Sequence, residues 1–144
     1  MNTSTKAGAV LVVDDDPNDV FFMHLGFKAA GLPQALHIAV DGQQAIDYLA
    51  GNGLFADRAQ HPLPALVLLD LHLPGLSGFE VLRWLRQQPQ FQSLPVVILT
   101  ASDREADKAQ AQQLGANEYI VKPINLVAVL PELLRVMAGR WLSQ

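Results

Sequence analysis

The sequence predicts an α/β protein: a doubly wound (βα)5 chain whose five-stranded parallel sheet carries helices on both faces. Three observations carry that expectation. Short apolar runs alternate five times with longer stretches that bear helix start and stop signals. The runs are apolar throughout rather than alternating, which marks strands buried on both faces. The chain has 144 residues, half of them hydrophobic, enough for one domain with a sizeable core.

The elements follow in order. Ala9 to Val13 is the first strand and runs into three aspartates. Asp16-Pro17 then starts a helix, with a carboxylate cap and a proline where a missing N–H costs nothing. Gly31 ends that helix after Ala30. Leu36 to Val40 is the second strand; Asp41 caps a helix through Ala50, and Gly51-Asn52-Gly53 closes it. Leu54 to Pro64 reads as an irregular connection. Ala65 to Leu69 is the third strand and ends at Asp70. A loop over Leu71 to Ser77 leads to a helix over Gly78 to Gln88. Pro95 introduces the fourth strand, Val96 to Thr100, and Ser102 or Asp103 caps a helix that ends at Leu114-Gly115. Glu118 to Val121 is the fifth strand, and the last helix spans Leu126 to Leu142.

Composition narrows the function classes. The formal net charge is −4, without a run of Lys or Arg, so neither nucleic acid nor an anionic membrane is an expected partner. The absence of cysteine excludes disulfides, thiolate metal sites and cysteine nucleophiles. No stretch approaches the roughly 18 apolar residues of a membrane span. Residues 1–8 are short, polar and unlike a signal peptide, and are expected to form a disordered or extended arm before a domain over 9–144. The expected location is the cytoplasm.

In open parallel sheets ligands bind at the carboxyl ends of the strands. Asp14 and Asp15 end the first strand, Asp70 the third, Thr100 the fourth and Lys122 the fifth. The fold would bring them to one edge, where the carboxylates repel one another and call for cations. Lys122 is one; a hard divalent ion such as Mg²⁺ is the natural second. Such a site suits phosphoryl transfer to a carboxylate, with metal and lysine neutralising the phosphoryl oxygens and a Thr100 hydroxyl donating to one of them. Asp70 is the preferred nucleophile because it stands alone on the central strand beside an accessible Gly- and Pro-containing loop.

The sequence resembles the response-regulator receiver family, with its flavodoxin/CheY-like fold. The resemblance rests on Val12-Val13-Asp14-Asp15, on the run from Leu69-Asp70 to Ser77-Gly78, on Leu99-Thr100-Ala101 and on Tyr119-Ile120-Val121-Lys122-Pro123, and covers about residues 8 to 140. It implies a stand-alone regulator, not an enzyme, that takes a phosphoryl group from a histidine kinase onto Asp70. By the same resemblance Asp14, Asp15, Asp70 and the backbone carbonyl of His72 bind Mg²⁺, Asp14 through water. Thr100 and Lys122 contact the phosphoryl group, Thr100 and Tyr119 form the switch, and the Lys122-Pro123 bond is cis. His72 and Ser102 fall at the two positions that tune loss of the phosphoryl group. The connection after the second helix, the run from Tyr119 to Leu126 and Trp141-Leu142 are similar to single-domain regulators that partner bacterial phytochrome kinases.

Other features have plainer readings. Asp16 is expected to cap its helix rather than add metal-site charge. Met23, Phe22 and Phe27 form a core stripe; Phe21 and Leu25 lie off it, where they would suit a kinase docking patch. His24, His37 and His61 lack a metal-ligand spacing. On the last helix Leu130, Leu133, Leu134, Met137 and Trp141 form a core face, while Val129 and Val136 lie off it, which points to a homodimer through this helix. A haloacid-dehalogenase-type phosphatase is disfavoured because His72 stands where its second aspartate belongs, and a degenerate binding module because Asp, Thr and Lys are all present. A transcription factor is disfavoured because the last helix uses the residues after Lys122.

Overall fold

A computed structural model describes residues 8–142; the arm expected over 1–8 lies almost wholly outside them. The elements are β1 (Ala9–Val13), α1 (Pro17–Ala30), β2 (Ala35–Ala39), α2 (Gly42–Ala50), β3 (Leu66–Leu69), α3 (Gly78–Gln87), β4 (Val96–Thr100), α4 (Glu105–Gln113), β5 (Glu118–Val121) and α5 (Leu126–Trp141). All strand pairs are parallel and the order is β2-β1-β3-β4-β5. The chain moves outward from β1 to β2, then returns to the other side of β1, so strand order reverses between β1 and β3 and opens a crevice at their carboxyl ends.

Successive strand residues point to opposite faces, and both faces are covered. Leu11, Val13, Val67, Leu69 and Ile98 face the layer that receives Tyr48 and Leu49 of α2, Leu82 and Leu85 of α3 and Ala111 of α4. Val10, Val12, Leu66, Leu68 and Val97 face Met23 and Phe27 of α1 and Leu130, Leu134 and Met137 of α5. This is the core expected from unbroken apolar strands, and Phe22, Leu133 and Trp141 pack against it partly buried.

The helix signals work as read in most places. Asp16 accepts from the Asn18 N–H, and Gly31 takes the left-handed conformation that closes α1. Asp41 and Gly51 do the same for α2. The connection over 54–64 is more ordered than expected. It starts with a 3-10 turn at Gly53–Ala56, and the Arg58 guanidinium donates to the carbonyls of Tyr48, Leu49, Phe55 and His61. It thereby satisfies carbonyls that the end of α2 leaves open.

Two expectations need correction, and Pro131 adds a feature the sequence reading did not contain. The start of α4 has Arg104 at the cap position with no side-chain cap; Ser102 lies two residues before it, where its hydroxyl accepts the Arg104 N–H and donates to Asp107. Pro131, unremarked in the sequence, sits inside α5, where it lacks the N–H that would bond the Val127 carbonyl one turn earlier. The Lys122-Pro123 bond is trans, the lower-energy isomer, and no cis peptide occurs among the described residues.

Candidate functional site

Four predicted site residues converge at the carboxyl edge of the sheet, and backbone bonds pin each of them. The Asp14 N–H donates to the Ala39 carbonyl, that of Asp70 to the Val13 carbonyl and that of Lys122 to the Thr100 carbonyl. Each residue thus continues a strand ladder by one step. Gly78 lets the first turn of α3 lie against the end of β3, its N–H donating to the Leu71 carbonyl at 2.9 Å. A Cβ at Gly78 would overlap the Asp70 carbonyl oxygen. Ser77 and Glu80 hold that turn with reciprocal side-chain to backbone bonds.

The Lys122 ammonium is the centre of the cluster. Its Nζ donates to Asp14 Oδ2 at 2.9 Å, to Asp70 Oδ2 at 2.9 Å and to Asp19 Oδ2 at 2.7 Å. The Thr100 hydroxyl, fully buried, donates to Asp70 Oδ1 at 2.8 Å, and the His72 N–H reaches the same oxygen at 3.2 Å. Burial pulls the Lys122 ammonium down, but the hydrogen bonds to Asp19 and Asp14 and the charge of Asp70 outweigh it and hold the lysine well above its usual range. Burial pushes Asp14 up, against its hydrogen bonds from Lys122 and from the Asp16 N–H.

Three carboxylates against one ammonium leave two negative charges in excess. Asp15 lies exposed beside the cluster, so the third acid on Lys122 is Asp19 rather than Asp15. Among the described residues no three His, Cys, Asp or Glu side chains surround a common ion position; Lys122 stands between the carboxylates instead. The donor chemistry fits a hard divalent cation all the same, because it is all oxygen, partly buried and short of positive charge.

The surroundings tie neighbouring loops together. The Tyr119 hydroxyl donates to the Ser102 carbonyl at 2.9 Å, linking β5 to the loop that follows Thr100. His72 is exposed, with Nε2 3.9 Å from Asp107 Oδ2. Sequence reasoning missed two acids, Asp19 and Asp107. Asp19, in the first turn of the helix that follows Asp14 and Asp15, had a positional signal. Asp107 had none, because an acid in a polar helix reads as solvent-exposed. Phe21 and Leu25 of α1 are exposed, as expected for a patch off the core stripe. His37 and His61 do meet, ring centroids 6.4 Å apart against Tyr48, away from the cluster.

Comparison with known proteins converges on one family. The profile described as response regulator receiver domain matches residues 10–133. Protein PilH of Pseudomonas aeruginosa is 30% identical over 130 residues, which cover 90% of this chain and 98% of PilH. The Mn(2+)-bound form of response regulator Rcp1 of Synechocystis sp. superimposes with a TM-score of 0.82 at 32% identity, over 95% of this chain and 96% of that one. The phosphorylated cyanobacterial phytochrome response regulator RcpA gives 0.86 at 30% identity, over 96% of each. Of several longer relatives the chain spans only 24% to 48%.

Proposed function

The chain belongs to the response regulator receiver domain family and is a two-component signalling protein, and on that premise we propose that it acts alone, accepting a phosphoryl group from a histidine kinase on Asp70 in a Mg²⁺-dependent reaction. One observation carries the reading: the two oxygens of the Asp70 carboxylate are held by the Thr100 hydroxyl and the Lys122 ammonium. These are the groups a phosphoryl transfer needs beside its acceptor.

In the proposed reaction an Asp70 oxygen bonds to phosphorus as the bond from phosphorus to the donor's imidazole nitrogen breaks. Lys122 stays charged at neutral pH and offsets the phosphoryl oxygens. Thr100 gives up its bond to Asp70 and donates to one of them instead. Asp14, Asp15, Asp70 and the His72 backbone carbonyl are the groups proposed to hold Mg²⁺, which supplies further positive charge against the phosphoryl oxygens when bound. The Mn(2+)-bound Rcp1 supports a divalent ion. As Thr100 moves, the loop beyond it moves with it, and Tyr119, bonded to that loop at Ser102, changes position. The output is a change in protein contacts, and the protein is a phosphoacceptor rather than an enzyme with a separate substrate.

The proposed partner is a histidine kinase of the phytochrome type, supported by the likeness to RcpA. Phe21 and Leu25 on α1 are its proposed docking patch. A second copy is proposed to bind through α5, where Ile120, Val121, Val129, Leu133 and Val136 line an open apolar groove of about 540 Å³. The proposed location is the cytoplasm, on the strength of the cysteine-free composition.

The test is intact mass after incubation with acetyl phosphate and Mg²⁺. One phosphoryl mass should add to the wild-type chain and be lost with EDTA and in Asp70→Asn. A wild-type chain that takes no adduct and fails to bind beryllofluoride would sink the reading.

A further inference from the structure

A lysine ammonium has three N–H bonds to donate, and those of Lys122 all go to carboxylates. Its bonds to Asp14 and Asp70 fall on their Oδ2 atoms, at 2.9 Å each, and its bond to Asp19 Oδ2 is the shortest, at 2.7 Å. The other oxygens of the first two acids are already engaged. Asp14 Oδ1 accepts the Asp16 N–H, and Asp70 Oδ1 accepts the Thr100 hydroxyl and the His72 N–H. A cation that binds Asp14 and Asp70 therefore competes with Lys122 for the Oδ2 atoms. The Lys122 side chain is only 10% exposed, and a buried ammonium without a partner is costly. Asp19 is the partner that remains. It belongs to none of the strand-end motifs, and it is neither the proposed acceptor nor a proposed metal ligand. It is also firmly placed, in a first turn of α1 that Asp16 caps through the Asn18 N–H. Among the described residues Asp19 pairs with no other cation.

We propose that Asp19 is a positioning residue: it keeps hold of the Lys122 ammonium when a divalent cation takes Asp14 and Asp70, so that metal entry leaves the lysine paired and beside the acceptor. The proposal rests on the reading of the site as a divalent-ion-dependent phosphoacceptor at Asp70. Without Asp19, Lys122 depends on Asp14 and Asp70 alone. Metal entry then strips the lysine of the partners it has left, and that cost appears as weaker metal binding. The effect runs through Lys122. An Asp19 that merely added negative charge near the ion, or bound it directly, would act whether or not the lysine were there.

The test measures Mn²⁺ affinity by electron paramagnetic resonance of the free ion, in wild type, Asp19→Ala, Asp19→Asn, Lys122→Ala and the double Asp19→Ala/Lys122→Ala. Asp19→Ala should weaken Mn²⁺ binding about threefold to tenfold, the scale of coupling within one ion-pair network. Asp19→Asn has the same shape and keeps an oxygen for Lys122, so its affinity should fall between wild type and Asp19→Ala. In the Lys122→Ala background, removing Asp19 should change the affinity by less than about twofold, as for residues that act through one contact. The Mg²⁺ concentration giving half the maximal rate of labelling by acetyl phosphate should rise in Asp19→Ala by the same factor as the Mn²⁺ dissociation constant. Unchanged or tighter Mn²⁺ binding in Asp19→Ala overturns the proposal. So does a loss that persists in full without Lys122, and so does an Asp19→Asn affinity no better than that of Asp19→Ala. A wild-type chain that binds no Mn²⁺ and takes no phosphoryl adduct defeats the phosphoacceptor reading itself, a result distinct from these.

Discussion

At Lys122 one ammonium serves three carboxylates, and the imbalance falls on Asp14. That residue is buried, and burial holds its carboxyl above the ordinary 3.8 despite two hydrogen bonds. A carboxyl whose pKa rises on folding adds stability below its unfolded value, and loses it as pH rises through the folded value. At neutral pH the Asp14 charge therefore works against the fold and is retained for the site. Asp14→Asn should stabilise the protein at pH 7, with the gain shrinking on acidification. Urea unfolding at pH 7 and below 4 checks it; a lower midpoint at pH 7 would contradict the account. The same variant should take less phosphoryl group. The motif acids were legible as residues, but not their sharing: that Asp19 rather than Asp15 completes the set around Lys122 depends on how α1 leaves β1.

Among the elements, α3 shows how a local signal becomes a site. Ser77 and Glu80 fix the first turn, and Gly78 allows it to meet the end of β3. Gly78→Ala would drive a methyl group into the Asp70 carbonyl, so the backbone that carries the acceptor must shift. The expected cost is about 2 kcal/mol in unfolding free energy, in the range of overpacked cores, with slower phosphorylation of Asp70 by acetyl phosphate. Wild-type rates and stability in this variant would refute the close approach. The caps Asp16 and Asp41 and the closing glycines were readable because they act within a few residues. The start of α4 was not, because the helix begins after Arg104, two residues beyond Ser102, whose hydroxyl accepts the Arg104 N–H and donates to Asp107.

For the molecule as a whole, the reversal of strand order between β1 and β3 sets the crevice, and the two helix layers set which surfaces remain free. α5 covers one face of the sheet with Leu130, Leu134 and Met137 and leaves Val136 44% exposed beside the apolar groove. If a second copy occupies that groove, Val136→Glu should shift the protein towards monomer in sedimentation equilibrium while leaving Asp70 phosphorylation unchanged. A distribution identical to wild type would rule out this face as the dimer contact.

The sequence by itself determined the fold class, the order of the ten elements and the placing of Asp14, Asp70, Thr100 and Lys122 at one edge. Strand burial, helix caps and strand-end position are properties of residues near one another in the chain. Only the tertiary structure decided that Asp19 joins Lys122, that Arg58 closes α2, that Tyr119 holds the Ser102 carbonyl and that Asp107 is buried between two loops. Each of these is a side-chain bond set by how loops and helices fold back on one another, which spacing along the chain does not encode.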